Sequence, residues 1–134
     1  MNDCIFCKII KGEIPSHRIY EDEDTYAFLD IAEDAIGHTL VIPKFHCENV
    51  LDCPPETLDK VMRTVQKIAK HYIDNCGYDG VNILNCNNES AHQSVYHLHF
   101  HIIPRKNGDG MWWWAKEPKK EMNLREICEK LKII

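Results

Sequence analysis

Three histidines stand at alternate positions in His97-Leu98-His99-Phe100-His101-Ile102-Ile103. Extended backbone sends successive side chains to opposite faces, so a strand here would present three imidazoles on one side and Leu98, Phe100 and Ile102 on the other. The apolar side can pack. Imidazoles buried side by side would each need partners for their ring nitrogens, which makes a purely structural role hard to sustain. Two kinds of chemistry stay open from the pattern itself. Histidines two apart on a strand can converge on one metal ion. Alternatively, a neutral imidazole with a pKa of about 6.5 is a nucleophile at neutral pH with no metal to activate it. Cys4 and Cys7 form a second constellation, since one helical turn brings both thiols to one side at a spacing typical of zinc ligands. A redox Cys-x-x-Cys is the weaker reading, because such a site follows a strand and opens a helix in a parallel-sheet fold.

These residues must be positioned by the rest of the chain. Cys4 to Ile10 carries apolar residues at helical spacing and is closed by Gly12 and Pro15, which predicts one or two helical turns. Arg18–Glu21 and Thr25–Leu29 flank the acidic turn Asp22-Glu23-Asp24 and read as a hairpin, with Asp30 where the second strand ends. His38–Ile42 is a β-branched apolar run after Gly37, stopped by Pro43, so His46 falls at a strand mouth. From Pro54-Pro55 to Gly77, apolar residues recur at steps of three and four and predict the main helix. Val81–Asn85 and Val95–Ile103 read as two further strands, the last ended by Pro104, and Leu124–Leu131 as a closing helix. Antiparallel strands beneath one long helix make an α+β sandwich.

Composition narrows the function classes. At 134 residues, with no repeat or linker, the chain is expected to fold as a single domain, 1–134. No apolar run is long enough for a membrane span, and the first residues carry neither a basic, apolar leader nor an Arg-rich one, which together predict a cytoplasmic protein. Seven cysteines, an odd number, argue against a disulfide framework, and Cys47, Cys53, Cys76, Cys86 and Cys128 are read as packing residues. A net charge of -5, with the basic residues scattered, speaks against binding a nucleic acid polymer and for a small nucleotide partner at most.

The alternating histidines match the signature His-φ-His-φ-His-φ-φ, with φ apolar. Around them, in order, stand Ile5-Phe6-Cys7-Lys8-Ile9-Ile10, Phe28-Leu29-Asp30, Gly37-His38-Thr39-Leu40-Val41-Ile42-Pro43-Lys44 and Gln93-Ser94-Val95-Tyr96. In these motifs the chain resembles the histidine triad (HIT) superfamily, most closely its nucleotide-binding, Hint-like branch. The resemblance covers positions 4 to about 105 and leaves 106–134 as a variable C-terminal segment. It implies a HIT-like fold: a five-stranded antiparallel sheet with one long helix and a short C-terminal helix, continued across a two-fold homodimer. It also implies that His99 attacks the α-phosphorus of a purine nucleotide or nucleotide conjugate, forming a nucleotidyl-histidine, while a main-chain carbonyl near His97 holds its other ring nitrogen. Because that adduct is a phosphoramidate, phosphoramidates are the favoured substrates. A diadenosine polyphosphate hydrolase and a non-catalytic nucleotide sensor are the alternatives.

The resemblance assigns further roles. Gln93, Ser94, Asn85 and His101 would contact the phosphate and leaving group, and Asp30 would accept from the ribose hydroxyls, although an Asp after a strand commonly caps a turn. Ile5, Phe6, Ile9, Phe28, Leu29 and Ile31 would line an apolar slot for the base. Cys4, Cys7, His46 and His97 would close a tetrahedral, structural Zn2+ site and leave His99 free. One departure stands out: His92 occupies a position where the family commonly has Gly. Met111-Trp112-Trp113-Trp114 lies beyond the family core and would need a subunit, a ligand or the domain itself to cover it.

Overall fold

A computed structural model describes residues 3–32, 34–111 and 122–133. Trp112–Trp114 lie outside the described residues. Among the described residues the order of elements is α1 (Ile5–Ile10), β1 (Arg18–Glu21), β2 (Thr25–Leu29), β3 (Thr39–Pro43), α2 (Pro55–Cys76), β4 (Gly80–Leu84), β5 (Phe100–Arg105) and α3 (Leu124–Leu131), with a short 3-10 turn at Glu89–Ala91. The strands form one sheet in the order β1-β2-β3-β5-β4, every neighbouring pair antiparallel. Since β5 is antiparallel to both β3 and β4, those two run parallel, and α2 makes the crossover between them.

Helix α2 spans 22 residues, with Pro55 in its first turn and Gly77 at φ 81 ending it in the left-handed conformation. Its buried residues, Val61, Thr64, Val65, Ile68 and Tyr72, form one stripe against the sheet. They meet Ile19, Ala27, Leu29, Val41, Leu98 and Ile102 in the larger core. Two hydroxyl pairs fix the helix to the strands: Thr64 Oγ1 to Thr25 Oγ1 at 2.8 Å, and Tyr72 Oη to Thr39 Oγ1 at 2.7 Å. The opposite face of the sheet carries Tyr26, Phe28, Leu40 and Ile42, covered by Phe6 and Ile9 of α1. Both faces of β2 and β3 are therefore buried, which explains their continuous apolar run.

Strands β3 and β4 lie within one residue of the expected His38–Ile42 and Val81–Asn85, whereas β5 differs at both ends. Strand β5 begins at Phe100, not Val95, because β3 reaches it only from Val41↔Phe100 onward. His97 and His99 thus precede the strand in extended and bent chain, and only His101 belongs to the ladder. Nor does Pro104 end β5. It pairs with Val81 of β4 at a level β3 does not reach, so no ladder bond from its missing N–H is needed on the other side. Gly37, at φ 82, brings the chain into β3. A Cβ there would lie 3.0 Å from both Leu131 Cδ1 and Pro104 Cγ, so the approach requires glycine.

Candidate functional site

The histidine run divides among three environments. His97 is fully buried, and its Nε2–H donates to the Pro43 carbonyl at 2.9 Å. That places its Nδ1 among Cys4 Sγ at 3.2 Å, Cys7 Sγ at 3.6 Å and His46 Nδ1 at 3.1 Å, while Cys7 Sγ lies 3.4 Å from His46 Nδ1. The four donor atoms all lie within 4.8 Å of one another. A tetrahedral zinc with bonds of about 2.0 to 2.3 Å sets its donors roughly 3.3 to 3.8 Å apart, so the cluster needs only small adjustments to hold one. Burial keeps His97 neutral down to about 4 against the opposing pull of the Pro43 carbonyl, and a neutral ring is what a ligand must be. The Pro43 hydrogen bond supplies the outer-shell contact that fixes a ligand's tautomer. Cys4 also caps α1, accepting from the Cys7 N–H.

His99 is 4% exposed, and its Nδ1–H donates 2.8 Å to the His97 carbonyl. The Nε2 lone pair is thereby left for chemistry. The ring of Phe6 stands edge-on at 5.3 Å from the His99 ring and 5.9 Å from that of His97, which restricts both. Asn85 Nδ2 donates to the His99 carbonyl at 2.9 Å. Burial pushes the His99 pKa down, with its hydrogen bond to the His97 carbonyl and the Asp30 charge opposing and His38 adding to the fall. The ring is neutral at neutral pH, as a nucleophile must be.

His99 and His101 line a cavity of about 240 Å³ walled by Ile5, Phe6, Ile9, Phe28, Leu29 and Ile31, with Asp30 and Ser94 beside them. Ten of the residues singled out from the sequence therefore meet around one slot. Ile5 and Ile31 are exposed at its mouth, whereas Phe28 and Leu29 also belong to the core. Asp30 does two things at once: it borders the slot, and its Oδ1 accepts from the Ala32 N–H at 2.9 Å as a turn cap.

Gln93 and Asn85 do not line the slot. The Gln93 amide donates to the carbonyls of Glu48 and Val95 and accepts from the Asn49 side chain and the Asn88 N–H, so its hydrogen-bonding groups are all used within the protein. In this arrangement it ties the loop before the histidines to the 48–49 turn instead of reaching a phosphate. Asn85 acts on His99 through its carbonyl. His92 is exposed and adopts φ 70, the left-handed conformation that glycine takes without strain.

Sequence reasoning passed over His38 and Asp34. His38 is 3% exposed, with Nδ1 2.8 Å from Asp34 Oδ1, Nε2 2.8 Å from His101 Nδ1, and Asp30 Oδ2 at 3.6 Å. Asp30, His38 and His101 could also face a metal, but 2.8 Å between ring nitrogens is a hydrogen bond's length. The signal lay in the cross-strand register: Leu40 pairs with His101, which makes His38 its diagonal neighbour on the same face. That pairing cannot be read from one segment alone.

Known proteins resemble this chain in sequence and in fold. A model of the HIT domain matches residues 11–108. The protein hit of Bacillus subtilis (strain 168) is 47% identical over 133 residues, covering 96% of this chain and 92% of that protein. The adenosine 5'-monophosphoramidase HNT1 of Saccharomyces cerevisiae (strain ATCC 204508 / S288c) is 45% identical over 117 residues, covering 85% of this chain and 72% of its own length. Among solved structures, a zinc-bound histidine triad family protein from Mycobacterium smegmatis superposes with a TM-score of 0.86 at 37% identity, covering 97% of this chain and 91% of the other.

Proposed function

This chain belongs to the HIT domain family, and from that premise we propose that it is a nucleotide hydrolase or transferase that cleaves nucleoside phosphoramidates at the α-phosphorus through a nucleotidyl-histidine at His99. The observation that carries this is the His99 ring: Nδ1–H is held by the His97 carbonyl, and the residue borders an apolar slot that ends in a carboxylate. The slot takes the base between Phe6, Ile9, Phe28 and Leu29, and Asp30 accepts from the ribose hydroxyls. Ser94 donates to the phosphate, where charge develops. The activity named for the yeast relative supports a phosphoramidate as substrate.

Cys4, Cys7, His46 and His97 hold one Zn2+ when it is bound, and the ion's role there is structural, since four protein ligands leave it no open position. It pins α1, which bears Ile5, Phe6 and Ile9, against the histidine segment. That a solved relative is zinc-bound supports a zinc site in this chain. A homodimer belongs to the same proposal. Strand β4 is an outer strand of the sheet and can accept pairing from a second copy, whereas the Ile19 carbonyl of the opposite edge already accepts from Ile133 N–H.

The test is release of AMP from adenosine 5'-phosphoramidate by wild type and by His99→Ala. Turnover lost in the variant supports the proposal. Tight binding of AMP without turnover in wild type would point to a sensor, and cleavage confined to diadenosine polyphosphates would move the substrate class.

A further inference from the structure

Behind the slot runs a chain of three groups that the nucleophile does not use. Asp34 Oδ1 accepts from His38 Nδ1–H, and His38 Nε2 meets His101 Nδ1, both at 2.8 Å. His101 is the only member that borders the slot. With its Nδ1 committed to His38, any proton it exchanges with a bound ligand passes through Nε2.

We propose that Asp34 is a positioning residue for leaving-group departure: by holding a proton on His38 Nδ1, it makes His38 Nε2 the proton source for His101, which protonates the departing amine. The inference rests on the reading of the site as a phosphoramidate-cleaving one. As His99 Nε2 bonds to phosphorus, the phosphorus–nitrogen bond breaks and its electron pair goes to nitrogen. That nitrogen takes the proton from His101 Nε2, His101 Nδ1 takes one from His38 Nε2, and His38, which enters the step as an imidazolium paired with the Asp34 carboxylate, is left neutral with its proton on Nδ1. In the second half, water oxygen bonds to phosphorus and the His99 pair returns to Nε2. One water proton goes to His101 Nε2, and the Nδ1 proton returns to His38.

The electrostatics suit each station. Burial acts to raise the Asp34 pKa, but the hydrogen bond and charge of His38 overcome it and hold the carboxyl below its usual range. Burial, with the charges of His38 and His99 adding and Asp34 opposing, keeps His101 neutral down to about 3, so it passes a proton on without retaining it. Among the described residues, the Asp30 carboxylate also faces these groups, 3.6 Å from His38 Nε2.

Two substrates separate a relay from a structural contact: an adenosine 5'-phosphoramidate with an alkylamine leaving group, which must be protonated, and the 4-nitrophenyl ester of AMP, which needs no proton to leave. Asp34→Asn is expected to lower kcat/KM for the first by about 100-fold and for the second by less than roughly threefold, in line with general acid catalysis. Asp34→Glu should restore most of the loss, and His38→Gln should show the same selectivity. An equal loss on both substrates, or none on either in Asp34→Asn and His38→Gln, overturns the relay while leaving the phosphoramidase reading intact. If wild type cleaves neither substrate, the reading itself falls and the relay with it.

Discussion

The two faces of the sheet are built from the same strands and put to different uses. Toward α2, Ala27, Leu29 and Val41 meet Val61, Val65 and Ile68, all six at 2% exposure or less, and two hydroxyl pairs fix the helix to the strands. Toward α1, Phe28 and Leu40 meet Phe6 and Ile9, yet the same residues wall a slot that reaches His99, His101 and Asp30. The first face is closed packing; the second stops short of closure, and the gap is where polar groups gather. Rigidity on the α2 side lets the α1 side remain open and still hold its imidazoles to fixed hydrogen bonds.

The contrast can be broken from either side. The largest effect on stability is expected from Ile68→Ala on the closed face. Deleting a fully buried isoleucine costs about 3 kcal/mol, to be read by denaturant unfolding, while kcat at 25 °C stays within about twofold. A comparable change in kcat would mean that the faces are not separable. On the open face, removal of metal by a chelator is expected to lower kcat/KM by roughly 10- to 100-fold through the misplacement of α1 and His97, with recovery on adding zinc. Unchanged activity in protein shown to be zinc-free would remove the cluster from the site's architecture.

Asp30→Asn should cost about tenfold in kcat/KM for a ribonucleotide and little for its 2',3'-dideoxy counterpart, since a weakened hydrogen bond is worth about 1.4 kcal/mol. Equal losses on both would reduce Asp30 to its turn. The smallest effect is spectroscopic. With burial and the neighbouring His38 and His99 holding its pKa at about 3 against Asp34, the His101 ring should keep its neutral NMR signature from pH 8 down to 5. A midpoint near 6.5 would show a more open site.

The elements were largely legible because their periodicities are strong. Helix α2 follows its apolar stripe to Gly77, and β1, β2 and α3 fall where turn residues and apolar patterns place them. The start of β5 was not legible, since His97-Leu98-His99 alternates like a strand but has no β3 partner at that level. Spacing pointed to Cys4 and Cys7, and the family resemblance added His46 and His97, which the fold brings to them from segments up to 93 residues apart. His38 and Asp34 stayed hidden because their meaning depends on register across strands. The resemblance gave Gln93 a contact with the phosphate and leaving group, while the fold turns its amide into the 48–49 loop.

The central claim is a covalent bond from phosphorus to His99. Intact-protein mass, measured after mixing with an adenosine 5'-phosphoramidate and rapid quenching without acid, tests it most directly. The account predicts a nucleotidyl adduct in wild type that is absent from His99→Ala. No adduct in wild type under conditions where the substrate is being turned over, or an equal adduct in the variant, would contradict it.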